Sequence, residues 1–326
     1  MNRHTEIFVT FAVILVELCL VSSVSIAQSY PVKTVRVIVP FPVNSGADVV
    51  FRTYTPKLAE VTGQPFVIEN RAGAAGNIGA EVVARALPDG YTLLVAPASL
   101  ASSQAMIKNL PFDLSRDFEP MAFLASLPFM LVVHPGLQAN SVKELIALAR
   151  TRPGEINYGS SGTGGASHLS GELFKSMAGI NVTHVPYKGG IAAMPDLIGG
   201  RISMMITGIA DVLPHVRAGQ LRALGVASVK RSQVAPDLPT IAESGLAGYE
   251  AGSWFALLAP SNTPRTIISQ IHGVVTKLGQ ITDVRDALRN QGAEPQAYTP
   301  DQLAVFIRNE ISKWGALVAA TGIRAE

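Results

Sequence analysis

The amino-acid sequence predicts an α/β protein built as two lobes joined by two crossover strands. Three observations predict it. Short apolar runs alternate with helically spaced apolar residues from Thr34 onward, the pattern of a sheet covered by helices. The alternation pauses and restarts near Phe129. A small, polar turn follows a strand in each half: Pro40-Phe-Pro-Val-Asn-Ser-Gly-Ala-Asp48 in the first and Tyr158-Gly-Ser-Ser-Gly-Thr-Gly-Gly-Ala-Ser-His168 in the second.

The elements follow in order. Thr34 to Val39 is an apolar run that predicts a buried strand; Val50, Tyr54, Leu58 and Val61 keep helical spacing until Gly63 stops them. Phe66 to Glu69 predicts a second strand, Ile78, Val82 and Val83 a helix, Pro88-Asp-Gly90 a turn, and Thr92 to Val95 a third strand. This βαβαβ order implies a parallel sheet. After a strand at Phe129 to His134, Ser141-Val-Lys-Glu144 reads as a capping box opening a helix through Arg150. A strand at Ile156 to Tyr158, the glycine-rich turn and a helix carrying Leu169, Leu173 and Phe174 come next. Strands at Val182 to Val185, Ile202 to Ile206 and Leu221 to Ala227 alternate with helices at Ile191 to Ile198 and Ala210 to Ala218. Trp254 to Ala259 is a last strand. Helices at Ile267 to Leu278, Val284 to Leu288 and, after the Thr299-Pro300 start signal, Leu303 to Leu317 close the chain. An all-helical tail has no sheet of its own to cover, so it is expected to pack back on the first lobe. The expected division is 28–125 with 253–326 in one lobe and 126–252 in the other, with crossovers near 122–130 and 250–256.

Residues 1–27 read as a signal peptide. A short basic start, the apolar run from Phe8 to Val21 and the small residues of Ser25-Ile-Ala27 place cleavage near Ala27 and the mature protein in the periplasm. Cys19, the only cysteine, falls inside that segment, so the mature chain has no disulfide and depends on its core. Twenty-six Lys and Arg against 24 Asp and Glu, dispersed without a basic run, exclude a nucleic-acid binder. A small anion remains compatible, because backbone donors at helix starts act locally.

The two polar turns read as halves of an anion clamp at strand ends, between lobes. The first supplies Phe41, Pro42, Asn44, Ser45 and Asp48; the second supplies Ser160, Ser161, Gly162, Thr163 and His168; Ser99 and Lys188 are further candidates. Asp48 either caps the following helix or faces a ligand ammonium. Lys188 either attracts the anion or stays solvated. His168 stands at a helix start, where a structural hydrogen bond competes with a role as base. Gly159-Ser-Ser-Gly162 lacks the G-x-S-x-G elbow of a serine hydrolase. Gly73, Gly76 and Gly79 do not form a dinucleotide fingerprint and fit a turn with close helix packing. His134, His184, His215 and His272 have no metal-ligand spacing, so neither metal nor cofactor is expected.

Further residues carry a family resemblance. Tyr30-Pro31, Val37-Ile-Val-Pro-Phe-Pro42 with Asp48, Glu69-Asn-Arg-Ala-Gly-Ala-Ala-Gly-Asn-Ile-Gly79 and Pro88-Asp-Gly-Tyr-Thr-Leu-Leu94 are similar to the extracytoplasmic substrate-binding proteins of tripartite tricarboxylate transporters, the Bug family. So are Ser161-Gly-Thr-Gly164, His168-Leu-Ser-Gly-Glu-Leu-Phe174, His184-Val-Pro-Tyr-Lys-Gly189, Asp196-Leu-Ile-Gly-Gly200 and Pro236-Asp-Leu-Pro-Thr-Ile-Ala-Glu243. The resemblance implies a periplasmic binding-protein fold, of the Venus flytrap type II-like kind, that captures a di- or tricarboxylate, an acidic amino acid or an aromatic acid. It also implies no enzymatic activity and membrane transporter subunits as partners; a monomer is the simplest expectation for a protein that must dock and release. A periplasmic α/β hydrolase and a ligand-sensing subunit for a signalling receptor are the competing readings. Two departures stand out. Asn44-Ser45 replaces the family's usual Gly-Gly, adding side chains to the first turn, and Thr207-Gly208 replaces a polar pair, which speaks against a citrate-like or amino-acid ligand.

Overall fold

The chain runs β1 (Val35–Val39), α1 (Gly46–Thr62), β2 (Phe66–Asn70), α2 (Asn77–Ala84), β3 (Thr92–Pro97), α3 (Ser99–Met106), β4 (Phe118–Val133), α4 (Val142–Thr151), β5 (Asn157–Ser160) and α5 (Ala166–Ala178). It continues through β6 (Thr183–Pro186), α6 (Gly190–Ile198), β7 (Met204–Gly208), α7 (Ile209–Arg217), β8 (Arg222–Val226), β9 (Gly252–Pro260), α8 (Arg265–Leu278), α9 (Thr282–Asn290) and α10 (Pro300–Thr321). This computed structural model describes residues 30–323, so the signal-peptide reading and Cys19 lie outside the described residues.

In the first sheet β1 sits between β2 and β3, parallel to both, and Val37, Ile38 and Val39 are fully buried because helices cover both faces. β9 runs antiparallel to β3, and β4 antiparallel to β9. From Phe129 on, β4 pairs instead with β7 and β8, and β5 and β6 continue that second sheet in parallel from β7. One long strand thus belongs to both sheets. The sequence pattern predicts only its second half, because Pro120 and Pro128 interrupt the first. The structure accommodates them with register shifts between Pro120 and Ala122 and between Phe123 and Ala125.

Helix ends explain most boundaries. Ser45 caps α1, Gly63 ends it in the left-handed conformation, and Thr299 with Gln302 forms a complete capping box for α10. At α4 the box is displaced by one residue: Ser141 Oγ accepts from Glu144 N–H, but the Glu144 carboxylate accepts from Asn140 N–H. α3 has no counterpart in the sequence pattern, since its consecutive serines blur the helical periodicity. It forms because Leu100 and Ala101 bury in a core shared with Leu303, Ile307, Trp314 and Leu317 of α10. The carboxyl-terminal helix therefore packs on the first sheet. Separate clusters fill the two faces of the second, one around Tyr158, Phe174 and Tyr249, the other around Met130, Leu197 and Val212.

Candidate functional site

A cavity of about 630 Å3 opens where segments following β1, β2, β3 and β5 converge across the two sheets. Three helix starts reach it: Ser45, Gly46 and Ala47 at α1, Ala98 and Ser99 at α3, and Gly164, Gly165 and Ala166 at α5. Of the residues expected at the site, Phe41, Ser45, Ser99 and Thr163 line the cavity. Pro42 and Asn44 are exposed on the outer side of the first turn, and Asp48 is buried behind it. Ser160, Ser161, Gly162 and His168 form the base of the second turn, Lys188 is exposed, and Thr207 and Gly208 end β7 outside the lining.

The first turn is organised around Asp48. Its carboxylate, fully buried, accepts from Asn44 N–H at 2.9 Å, Arg52 Nε at 2.7 Å and Asn70 Nδ2 at 3.0 Å. Burial alone opposes ionisation, but the guanidinium of Arg52 and the donors of Asn44 and Asn70 outweigh it and hold the carboxyl below the usual aspartate range. Asn44 takes φ +65°, a left-handed conformation that asparagine tolerates well. Asn70 was not anticipated. The pairing of Val39 with Asn70 brings it beside the end of β1, where its amide also donates to Phe41 O at 2.9 Å. Asp48→Ala is expected to lower the unfolding free energy by about 2 kcal/mol, since it strips a charged acceptor from three donors. An unchanged denaturation midpoint would remove Asp48 from the turn's support.

The second turn is held from below by an imidazole pair. Tyr158 and His184 are opposite one another in the β5–β6 register, and their rings stack with centroids 4.9 Å apart; His184 in turn stacks on His168 at 3.9 Å. His168 Nδ1 accepts from Gly164 N–H at 3.0 Å, so that ring is neutral. Burial, then the neighbouring His184, pushes its pKa down to about 4, and burial also lowers His184. His184 Nε2 lies 2.6 Å from Ser160 Oγ, which accepts from Gly162 N–H at 3.1 Å. This contact has the length of a nucleophile–base pair, yet Ser160 is fully buried, does not line the cavity, and no carboxylate among the described residues hydrogen-bonds His184. Ser161 is tied to Ser167, which bonds both its N–H and its hydroxyl. Gly165 caps α5 without a side-chain bond, leaving the first-turn N–H groups of a 13-residue helix at the cavity.

Several lining residues were missed. Ala74 and Ala75 carry φ of +46° and +54° between Gly73 and Gly76, also at positive φ, and Ser99 Oγ donates to Ala75 O at 2.7 Å across the cavity wall. Left-handed alanine is uncommon, and such positions concentrate where a structure clamps a ligand. Ser102 and Ser103 come from the unforeseen α3. Phe255 lines the cavity while its neighbour Trp254 points away and donates to Glu310 at 3.0 Å, as alternation along β9 requires. That alternation was the available signal.

Among the described residues no group of His, Cys, Asp and Glu could hold a metal, and no helix is long and apolar enough to cross a membrane. Residues 50–323 match the family model described as tripartite tricarboxylate transporter family receptor. The chain is 38% identical to protein BugT of Bordetella pertussis over 300 residues, covering 91% of this chain and 92% of that one. A structure of Rpa4515 of R. palustris with adipate superposes with TM-score 0.74 at 36% identity, covering 90% and 99% of the two chains. MatC of Rhodopseudomonas palustris with bound malate gives TM-score 0.70 at 33% identity, covering 89% and 100%.

Proposed function

This chain belongs to the tripartite tricarboxylate transporter receptor family, and from that premise we propose that it captures a small carboxylate between its lobes. Members of this family are solute-binding receptors, not enzymes, and the fold is the two-lobed periplasmic binding-protein fold. The observation that carries the reading is the uncapped start of α5 at the cavity, with no acidic residue in its first turn and Thr163 beside it. A carboxylate there takes N–H donors and the positive end of the helix dipole. Phe41, Ser45 and Ser99 approach from the opposite lobe, so a bound ligand favours closure.

In this reading the lobes comprise 28–125 with 253–326 and 126–252, and β4 and β9 form the hinge. A leader cleaved near Ala27 delivers the protein to the periplasm, where it acts as a monomer and passes its ligand to membrane transporter subunits. Similar proteins described with adipate and malate support the choice of ligand chemistry. The test is a thermal-shift screen of protein stripped of co-purified ligand by unfolding and refolding. A carboxylate at about 100 times its dissociation constant stabilises the native state by roughly 2.7 kcal/mol. Thr163→Ala is expected to weaken the response without lowering the melting temperature of the free protein. No shift with any mono-, di- or tricarboxylate would refute the proposal.

A further inference from the structure

We propose that the protein has a second binding site, on the face of β9 turned away from the cavity described above, and that it takes a protonated amine with an aromatic body. The site goes beyond the carboxylate reading and does not depend on it. Side chains alternate along β9, so Phe255 lines the first cavity while Trp254 lines a second, of about 550 Å3. β4 supplies the adjoining wall through Ser126, Leu127 and Pro128, and the segment after β8, the segment before α10 and α10 itself complete it. The exposed Val229, Lys230 and Gln296 mark its mouth. Its volume is that of a small-molecule site.

One side of this cavity is aromatic. Phe123, Trp254, Tyr298 and Phe306 form a single cluster, with neighbouring ring centroids 5.1 to 5.6 Å apart. Phe123 and Trp254 are buried and serve the core, but Tyr298 and Phe306 are only half-buried, and all four line the cavity. Such a wall offers apolar area to a ring, and a cation beside a ring face gains from its quadrupole.

The charged groups decide what polar end the ligand carries. Glu310, Glu294 and Glu250 line the cavity with Lys313, Arg231 and Lys230. Glu310 Oε2 accepts from the indole N–H of Trp254 at 3.0 Å and of Trp314 at 3.3 Å, and Oε1 pairs with Lys313. Lys313 also donates to Glu250 O at 3.3 Å and lies over the Trp314 ring. Glu294 Oε1 accepts from Ser232 Oγ at 2.6 Å and Gln233 N–H at 3.0 Å. Arg231 is exposed and pairs with Glu243, which is not part of the lining.

Glu250 is the half-buried charge left over. Its carboxylate has no hydrogen-bond partner among the described residues, and burial pushes its carboxyl above the usual range, with Lys313 opposing that shift and Glu310 adding to it. The Tyr298 hydroxyl, also without a hydrogen bond, lines the same space. An ammonium group has three donors and no acceptor, so it can satisfy both oxygens while its body covers the aromatic wall. An anion would meet three carboxylates there, with Lys313 already paired, and a neutral ligand would leave the Glu250 charge uncompensated.

Isothermal titration at pH 7, where an alkylammonium keeps its proton, compares phenethylamine with the neutral phenethyl alcohol. The amine is expected to bind at least about tenfold more tightly than the alcohol. Absence of amine binding, or equal binding of the two, would overturn the proposal. Glu250→Gln removes the charge from a side chain that supports no hydrogen bond, so it is expected to melt like wild type and to weaken the amine at least about tenfold. Unchanged amine affinity in that variant would place the amine elsewhere and overturn the site. Lys230→Glu, at the exposed mouth, is expected to tighten amine binding about threefold; weaker binding would count against the proposal.

Discussion

Gly171→Ala is expected to destabilise the protein by about 3 kcal/mol, near the top of the range for overpacking a core. A Cβ at this position would stand 2.8 Å from Tyr158 Cδ2 and 2.9 Å from Cζ, with Cε2 closer still. The ring has nowhere to retreat. Tyr158 is fully buried, its hydroxyl donates to Glu172 Oε1 at 2.7 Å, and its face lies on His184. Because that stack carries the second turn, the substitution should also weaken ligand binding, unlike an equally destabilising change in the first sheet. Chemical denaturation of Gly171→Ala, of Tyr158→Leu and of the double variant provides the check. The double variant should cost less than the sum of the two, since the smaller side chain makes room for the methyl group. Simple additivity would place the strain elsewhere.

The second large effect is a dependence of stability on pH that belongs to His168. Its folded pKa, pushed down to about 4, lies below the ordinary 6.5, so the unfolded chain binds more protons between those values. The contribution is fully present above pH 6.5 and is lost as pH falls through the folded pKa. A depression of this size corresponds to about 3 kcal/mol across the window. The charged and titratable groups facing the ring are His184 on β6, Tyr158 on β5, and Glu172 and Lys175 on its own helix. Protonation at Nδ1 also removes the acceptor of Gly164 N–H, so the second turn, at the cavity, should loosen in the same window. Denaturation of wild type and His168→Gln at pH 7, 5.5 and 4 measures it. The variant is expected to show a shallower decline, the remaining slope coming from His184 and from paired carboxylates such as Asp48 and Glu69, which the fold holds below the usual range. Identical slopes would show that His168 carries none of the effect.

The outline of the fold was legible because helices and strands here announce themselves locally. TVRVIV reads as β1, Gly63 ends α1, and the spacing around Thr299-Pro300 opens α10. Elements made by distant partners were not legible. α3 owes its helix to a core that α10 completes, and the first half of β4 exists because β9 pairs with it despite two prolines. The same distinction applies to the site. Thr163 and Ser45 could be named because the turns that carry them are contiguous. His184 could not be linked to His168, nor Asn70 to Asp48, because strand register alone brings each pair together. Part of the cavity wall was hidden for the same reason: Phe255 and Trp314 line it from segments far apart in the chain, and which face each presents is set by packing.

The strand shared by both sheets has a consequence for the order of assembly. The second sheet draws on residues from Phe129 to Val226, a continuous stretch, whereas the first needs β9 and α10 from beyond Ala251 to cover β3 and α3. A chain produced from its amino end therefore finishes the later sheet before the earlier one. Until the final quarter arrives, β3 presents a bare edge of hydrogen-bonding groups, and the apolar face of α3 lacks its cover. The vulnerable period of this chain falls during its synthesis, and the region then left uncovered is the amino-terminal third.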